Sequence, residues 1–244
     1  MKDIMALIKQ KQKTYSCLPL FTLMRDKSIS PIKRLSFAPC AAYFIMSFAD
    51  LNKYVLRQEP TEDKIQIILN QHSYEDDFHW QWFLEDIQKL GFNPELEFND
   101  FLKFLWSEET KTSRILSFRL YQYIAQSEPI EKLVVLEAVE ATSDVLVEAT
   151  KEVTRELSLT TKQEYRYFGD LHFNAESEHQ AHSNETDQFL QNIYISEETK
   201  KRSIELVNMV FDLFTQWACE LFEYTQLSQQ EDLNLIVKEL TKAA

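Results

Sequence analysis

The sequence predicts a single all-α domain over residues 1–244, and three observations favour this class. The 244 residues include two glycines and six prolines, fewer than turn-rich β proteins need. Apolar residues recur at three- and four-residue steps through most of the chain, whereas the alternation of a half-buried strand is almost absent. Seventeen Phe, ten Tyr and four Trp residues suit a bulky helical core, which a chain of this length can bury.

Helix boundaries follow from capping residues and prolines. Ser30 followed by Pro31 is typical of a capped helix start, and Pro39 is expected to break or kink the segment that follows. Thr61 and Gly91 are expected at the N-cap and C′ positions of one helix. The predicted helices span, in order, about residues 40–57, 61–91, 98–106, 110–124, 129–157, 162–182, 197–224 and 232–242, with 181–187 as the best loop candidate.

Charge and cysteine usage limit the function classes. The formal net charge of −13 disfavours a nucleic-acid or anionic-membrane partner, because either would need a basic face. Cys17, Cys40 and Cys219 are odd in number and far apart, which indicates reduced thiols. The N-terminus shows no secretory signal, and the most apolar run, residues 35–49, is too short to span a bilayer. We therefore expect a cytoplasmic protein.

All five histidines lie in two short windows that share one spacing. The first window runs from His72 to His79 and the second from His172 to His179, with His182 just beyond. Seven residues make almost two turns of an α-helix, so both histidines of a window project from one face. Apolar residues continue each stripe above and below the polar ones. The pattern therefore predicts buried imidazoles and carboxylates.

Burial of these polar groups favours a bound metal. An unpaired carboxylate or charged imidazole is costly to bury, and a divalent cation compensates for both. The acid of the first window is either Glu75 or Asp76, and Glu176 is the acid of the second. Glu140 on a later helix, with Glu137 one turn earlier as the alternative, is a third contributor. Imidazole and carboxylate together suit iron, manganese or zinc. A hydrogen-bond network without metal is the alternative interpretation.

These motifs resemble the haem-oxygenase-like di-iron oxidases, most closely the group of the Chlamydia protein associating with death domains. In that group a carboxylate and a histidine come from one helix, a glutamate from a later helix, and a His-x3-Asp-x2-His trio from a third. Here His172-x3-Glu176-x2-His179 is similar to the trio, with Glu in place of Asp. His79 matches the first histidine, and Glu140 lies where the lone glutamate falls.

The chain departs from that family at the first carboxylate, where it has His72. Either His72 replaces that ligand, or Glu75 or Asp76 supplies the charge from an adjacent position. An added imidazole would lower the negative charge around the metal, which favours one iron, or a different metal, over a pair. Haem oxygenase itself is disfavoured, because it needs a histidine near the N-terminus and none precedes His72.

The resemblance implies a haem-oxygenase-like multi-helix bundle of the TenA and PqqC type, and a non-haem iron enzyme that activates dioxygen on a small organic substrate. Its cofactor would be one or two iron ions, with manganese possible, and a homodimer is compatible with the fold. The implied metal ligands are His72, Glu75, His79, Glu140, His172, Glu176 and His179. Tyr165 and Tyr167 are the candidates for a catalytic role, as donors of a hydrogen bond or an electron. The alternatives are a non-catalytic interaction protein with a vestigial site and a metal-free enzyme that acts by proton transfer.

Overall fold

The chain folds into a bundle of α-helices packed around one long helix. Our computed structural model describes residues 1–178 and 193–230, with side chains described in 1–175 and 193–227. No β-strand occurs in these residues, which agrees with the predicted all-α class. The helices are, in chain order, α1 (Lys2–Tyr15), α2 (Pro19–Arg25), α3 (Pro31–Arg34), α4 (Ala38–Leu51), α5 (Lys64–Asp76), α6 (His79–Lys89), α7 (Phe98–Trp106), α8 (Lys111–Ala125), α9 (Pro129–Thr161), α10 (Asp170–Glu178) and α11 (Glu197–Gln230).

Helix α9 lies at the centre of the bundle, and its sequence determines both of its ends. Pro129 occupies its first turn, where Glu128 and Glu131 form a reciprocal capping box. Lys162 ends the helix with a left-handed φ of 58°. Over its 33 residues α9 packs against α1, α2, α3, α5, α8, α10 and α11. Because other helices cover it, glutamate and threonine side chains are buried along it together with apolar ones.

Several predicted helices are confirmed by the structure. Helix α7 has the predicted bounds, and α8 and α9 begin within one residue of the predicted starts. The helix expected over 40–57 is α4 followed by a π-helical turn, Asn52–Leu56. Pro39 lies in the first turn of α4 and does not kink it, because an N–H at that position would have no helical partner. The segments 181–187 and 232–242 lie outside the described residues.

Two predicted helices are wrong in part. The helix expected over 61–91 is interrupted and forms α5 and α6. Asp63, not Thr61, is its N-cap, and the Asp63 carboxylate accepts hydrogen bonds from two N–H groups of the first turn. Gly91 follows α6 with a φ of 76°, as predicted for a C′ residue. Residues 162–169, expected to be helical, form a loop. Both interruptions result from tertiary hydrogen bonds around the histidine windows. In the residues described, no helix is long and apolar enough to cross a bilayer.

The start of α8 is capped by a side chain from α11. Glu220 accepts hydrogen bonds from the backbone N–H groups of Thr112 (2.5 Å) and Ser113 (3.0 Å). These N–H groups have no acceptor within their own helix, and a carboxylate also interacts favourably with the N-terminal end of the helix dipole. Burial raises the pKa of Glu220, although the hydrogen bonds from α8 act in the opposite direction. Glu220 therefore ties α8 to α11.

Replacing Glu220 by alanine is expected to lower the free energy of unfolding by about 1–2 kcal/mol, because the first turn of α8 loses its acceptor. Urea denaturation at neutral pH measures this change. Glu223→Ala, at an exposed position one turn further along α11, is the control and should alter stability by less than about 0.5 kcal/mol. Equal losses in the two variants would contradict the capping role.

Candidate metal centre

The first histidine window spans the break between α5 and α6. The Arg57 guanidinium binds the end of α5, where it donates to the Ser73 carbonyl (2.9 Å) and to the Asp77 carboxylate (2.8 Å). A continuing helix would use the Ser73 carbonyl for the N–H of residue 77. A cation at the C-terminal end of a helix is also favoured by the helix dipole. Arg57 therefore accounts for the interruption, after which α6 begins at His79.

Three buried side chains from α5 and α9 meet in one cluster. His72 Nε2 lies 2.9 Å from Asp76 Oδ2 and 3.3 Å from Glu140 Oε1. His72 is fully buried, and Asp76 and Glu140 are only 5% and 6% exposed. One donor atom from each residue lies within 4.8 Å of the others. Donor atoms this close together can reach a single metal ion.

The charges in this cluster depend on one another. Burial opposes protonation of His72, but attraction to Asp76 and Glu140, with hydrogen bonds to both, raises the pKa of His72 well above its ordinary value. The two carboxylates therefore favour positive charge at this position. A divalent cation would supply such a charge between them.

A buried aspartate of α6 holds the loop that leads into the second window. Asp86 is 0% exposed. Its carboxylate accepts hydrogen bonds from three consecutive backbone N–H groups, those of Arg166 (2.9 Å), Tyr167 (2.8 Å) and Phe168 (3.0 Å). Burial raises the pKa of Asp86, although these N–H donors act in the opposite direction. Because the N–H groups bind Asp86, they are not used for helical hydrogen bonds, and residues 162–169 form a loop.

The same loop approaches its own backbone closely at Gly169. The Thr154 hydroxyl on α9 donates a hydrogen bond to the Phe168 carbonyl (3.0 Å), which holds the loop against α9. A Cβ atom at position 169 would lie 2.1 Å from the Tyr165 carbonyl oxygen. Backbone cannot move aside as a flexible side chain does, so only glycine fits here. One of the two glycines in the sequence is therefore required by the geometry of this loop.

His79 of the first window and His172 of the second window lie close together. His172 Nδ1 lies 2.8 Å from the Tyr167 carbonyl oxygen. Because a carbonyl only accepts, Nδ1 carries a proton, and in the neutral ring Nε2 then carries the lone pair. The ring centroids of His79 and His172 are 4.8 Å apart, and His79 Nδ1 lies 3.5 Å from Asp76 Oδ1. The His79 ring also stacks on Trp82 at 4.5 Å. Both histidines therefore adjoin the buried cluster.

A small cavity of about 50 Å³, here called the inner cavity, lies beside these side chains. Its wall is mostly apolar except for the candidate ligands, and includes Phe44, Phe48, Asp76, His79, Glu140, Leu146, Tyr167, His172, Phe214 and Trp217. A buried water occupies roughly 10–15 Å³ of such volume. The inner cavity is therefore large enough for a few waters or for dioxygen, and too small for most organic molecules.

The acids that the sequence left open lie in different surroundings, and their roles as ligands stay predictions. Asp76 lies in the cluster, whereas Glu75 lines a larger pocket on the surface. Glu140 contacts His72, and Glu137 is buried one turn earlier on α9. Asp76 follows His72 by four residues on α5, and the packing of α5 against α9 determines which glutamate His72 contacts.

The remaining predicted site residues lie partly at the inner cavity, partly away from it, and partly outside the described residues. Tyr167 lines the inner cavity, with its ring centroid 4.6 Å from that of His172. The Tyr165 hydroxyl instead lies 3.3 Å from Gln163 Oε1, near the end of α9. The catalytic roles of both tyrosines stay predictions. The Glu176 side chain and the whole of His179 lie outside the described residues, and their roles as ligands also stay predictions.

Asp86 was not among the predicted site residues, although its position in the sequence indicates that it is buried. Asp86 follows His79 by seven residues and the buried Phe83 by three, so it lies on the apolar face of α6. An acid at such a position needs compensation, and three backbone N–H groups provide it. The identity of those partners depends on the tertiary fold.

The residues of the cluster fit a divalent metal by their chemistry. Two carboxylates and the imidazoles are oxygen and nitrogen donors, a set that suits iron, manganese and zinc. His72, Asp76 and Glu140 come from helices that hold their backbones rigidly, and the carbonyl bound to His172 Nδ1 orients that ring as outer partners of metal ligands do. The arrangement thus defines a possible three-residue metal site with two adjoining histidines.

Comparison with solved structures identifies the fold. Nineteen chains match, among them a crystal structure of a domain of unknown function with a heme oxygenase-like fold from Shewanella denitrificans OS217. It has a TM-score of 0.62 and 15% sequence identity, and the match covers 93% of this chain and 92% of that chain. No protein-family model and no curated protein matches the sequence. The chain is therefore an all-α bundle with a haem-oxygenase-like fold, as its sequence predicted.

Proposed function

We propose that this protein is a non-haem iron enzyme that uses dioxygen to oxidise a small organic substrate. The observation that supports it best is the buried cluster of His72, Asp76 and Glu140, with His79 and His172 beside it. These side chains would hold one or two iron ions, with manganese as the alternative metal. The resemblance of the second window to the His-x3-acid-x2-His trio of di-iron oxidases favours iron. Iron bound there would transfer electrons from the organic substrate to dioxygen.

The residues of this chain would have three tasks in such a reaction. Asp76 and Glu140 would neutralise the cation in a site from which bulk water is excluded. The Tyr167 carbonyl would keep the proton of His172 on Nδ1, so that Nε2 presents its lone pair. The apolar wall of the inner cavity would admit dioxygen and limit the number of waters near the reacting atoms.

Iron uptake tests this function directly. The protein is purified without oxygen, freed of metal and loaded with ferrous iron, and its metal content and dioxygen consumption are then measured. We expect stoichiometric uptake and a new absorption band after exposure to air. Asp76→Ala should bind less than about a tenth as much iron, because a directly bound carboxylate is lost. Asp212→Ala, at an exposed position on α11, is the matched control.

The possible outcomes separate the alternatives. One iron per chain would indicate that His72 has remodelled the site, and two would support a di-iron centre. Equal uptake by Asp76→Ala and wild type would place the metal elsewhere. No stoichiometric uptake of any divalent metal would exclude the oxidase and favour a metal-free helical bundle.

A further inference from the structure

A second pocket, much larger than the inner cavity, is also lined by His79. This outer pocket has a volume of about 1130 Å³ and opens to the surface beside α5 and α6. Its described lining includes Glu59, Ile67, Tyr74, Glu75, Phe78, His79 and Trp82. A volume of this size accommodates an organic molecule, which the inner cavity does not. Because His79 lines both spaces, a molecule in the outer pocket would lie next to the candidate metal centre.

Aromatic rings form one wall of the outer pocket. The Tyr74 and Phe78 side chains are 51% and 39% exposed, a large exposure for aromatic residues. The Phe78 and Trp82 rings meet edge to face, with centroids 5.2 Å apart, and Trp82 stacks on His79. Exposed aromatic rings grouped at a pocket indicate a binding surface, and the face of such a ring attracts cations.

The charged groups of the outer pocket are acidic. Glu59 accepts a hydrogen bond from the Tyr74 hydroxyl (2.8 Å). One carboxylate oxygen of Glu75 is buried and accepts no hydrogen bond from the residues that the structure describes. None of the described lining residues is a lysine or arginine. Arg57 lies 3.5 Å from the centre of the Tyr74 ring, but the Asp77 carboxylate pairs with it at 2.8 Å.

The acidic lining indicates the charge of a ligand. The carboxylates of Glu59 and Glu75 would repel an anion, whereas a cation would be attracted by these carboxylates and by the aromatic faces.

We propose that the outer pocket binds the positively charged nitrogen of an organic amine, which is the substrate class of the proposed oxidation and so rests on that function. Phe78 and Trp82 contact the cationic group, and the Glu75 carboxylate neutralises it. The remainder of the molecule extends toward His79 and the inner cavity. In this assignment Glu75 recognises substrate, and Asp76 serves the metal.

Choline and its uncharged isostere 3,3-dimethyl-1-butanol test the proposal. Calorimetry with the metal-free protein measures the binding of each, so the result does not depend on iron. A quaternary ammonium keeps its charge at every pH, which excludes titration of the probe as a cause. We expect choline to bind about fivefold or more tightly than the alcohol. Glu75→Gln should weaken choline binding about five- to tenfold, with iron uptake unchanged.

Glu62→Gln is the matched control, because Glu62 is exposed nearby and does not line the pocket. It should bind choline as wild type does. Equal binding of the two probes would overturn the preference for a cation. An unchanged affinity in Glu75→Gln, or no binding of either probe, would overturn the proposal as well. Each of these results leaves iron uptake to be judged separately, so failure of the amine site and failure of the oxidase are distinguishable.

Discussion

Replacing Asp86 by alanine is expected to lower the free energy of unfolding by about 3–5 kcal/mol, since three backbone N–H groups lose their shared acceptor. Asp86 is fully buried, and water has little access to replace the lost carboxylate. The donors belong to the loop that positions His172, through the hydrogen bond of its Nδ1 to the Tyr167 carbonyl. The variant should therefore also lose metal affinity, although Asp86 is not a candidate ligand.

Two further variants separate this role from a general loss of charge. Glu85→Ala removes the exposed ion pair between Glu85 and Arg166 (3.1 Å), which reaches the same loop. Because exposed pairs contribute little, we expect a loss of less than about 1 kcal/mol. Asp86→Asn should be intermediate, since its amide retains one oxygen acceptor and turns an NH₂ group toward N–H donors. Denaturant unfolding and metal titration measure both effects, and similar losses in Asp86→Ala and Glu85→Ala would contradict the argument.

The helical character of the chain and the general location of the candidate site could be predicted from local patterns. Helical periodicity, few glycines and the capping residues near Pro129 are properties of short segments, and α7 and α9 start where such signals place them. The shared spacing of the histidine windows likewise predicted buried polar groups, and His72, His79 and His172 are all buried. The burial of a polar stripe can be predicted from a short segment, because it follows from the apolar residues at helical spacing before and after the polar ones.

The interruptions of the helices could not be predicted, because residues distant in sequence cause them. Arg57 lies twenty residues before Asp77 in the sequence, and it donates hydrogen bonds to groups at the end of α5. Asp86 binds N–H groups about eighty residues later in the chain. Both act through tertiary hydrogen bonds that override helical propensity. Which acids join the buried cluster depends likewise on how α5 packs against α9, so the sequence alone left them open.

The carboxylates of the cluster affect the metal-free and the metal-loaded protein differently. Asp76 and Glu140 both contact the buried His72 imidazole, and attraction to them raises the pKa of His72. Removing one partner of a buried charged pair is destabilising, because the other partner loses its compensation. Glutamine at position 140 keeps an oxygen acceptor for His72 and removes one negative charge.

Glu140→Gln is therefore expected to have a small effect on the metal-free protein and a large effect on the metal-loaded protein. With a chelator present, its free energy of unfolding should fall by about 1 kcal/mol, because the attraction to His72 is weakened while an oxygen acceptor remains. Saturating ferrous iron without oxygen, or manganese, should stabilise wild type by about 4 kcal/mol at a thousandfold excess over Kd, and this gain should largely disappear in the variant. Thermal unfolding with and without metal measures both changes. Glu148→Gln, two turns further along α9 and exposed, should behave as wild type in each condition. A metal-induced gain that stays intact in Glu140→Gln would show that Glu140 is a structural hydrogen-bond partner and not a ligand. The dependence on metal is decisive, because a purely structural glutamate would lose the same stability in both forms, whereas a ligand loses far more when its metal is present.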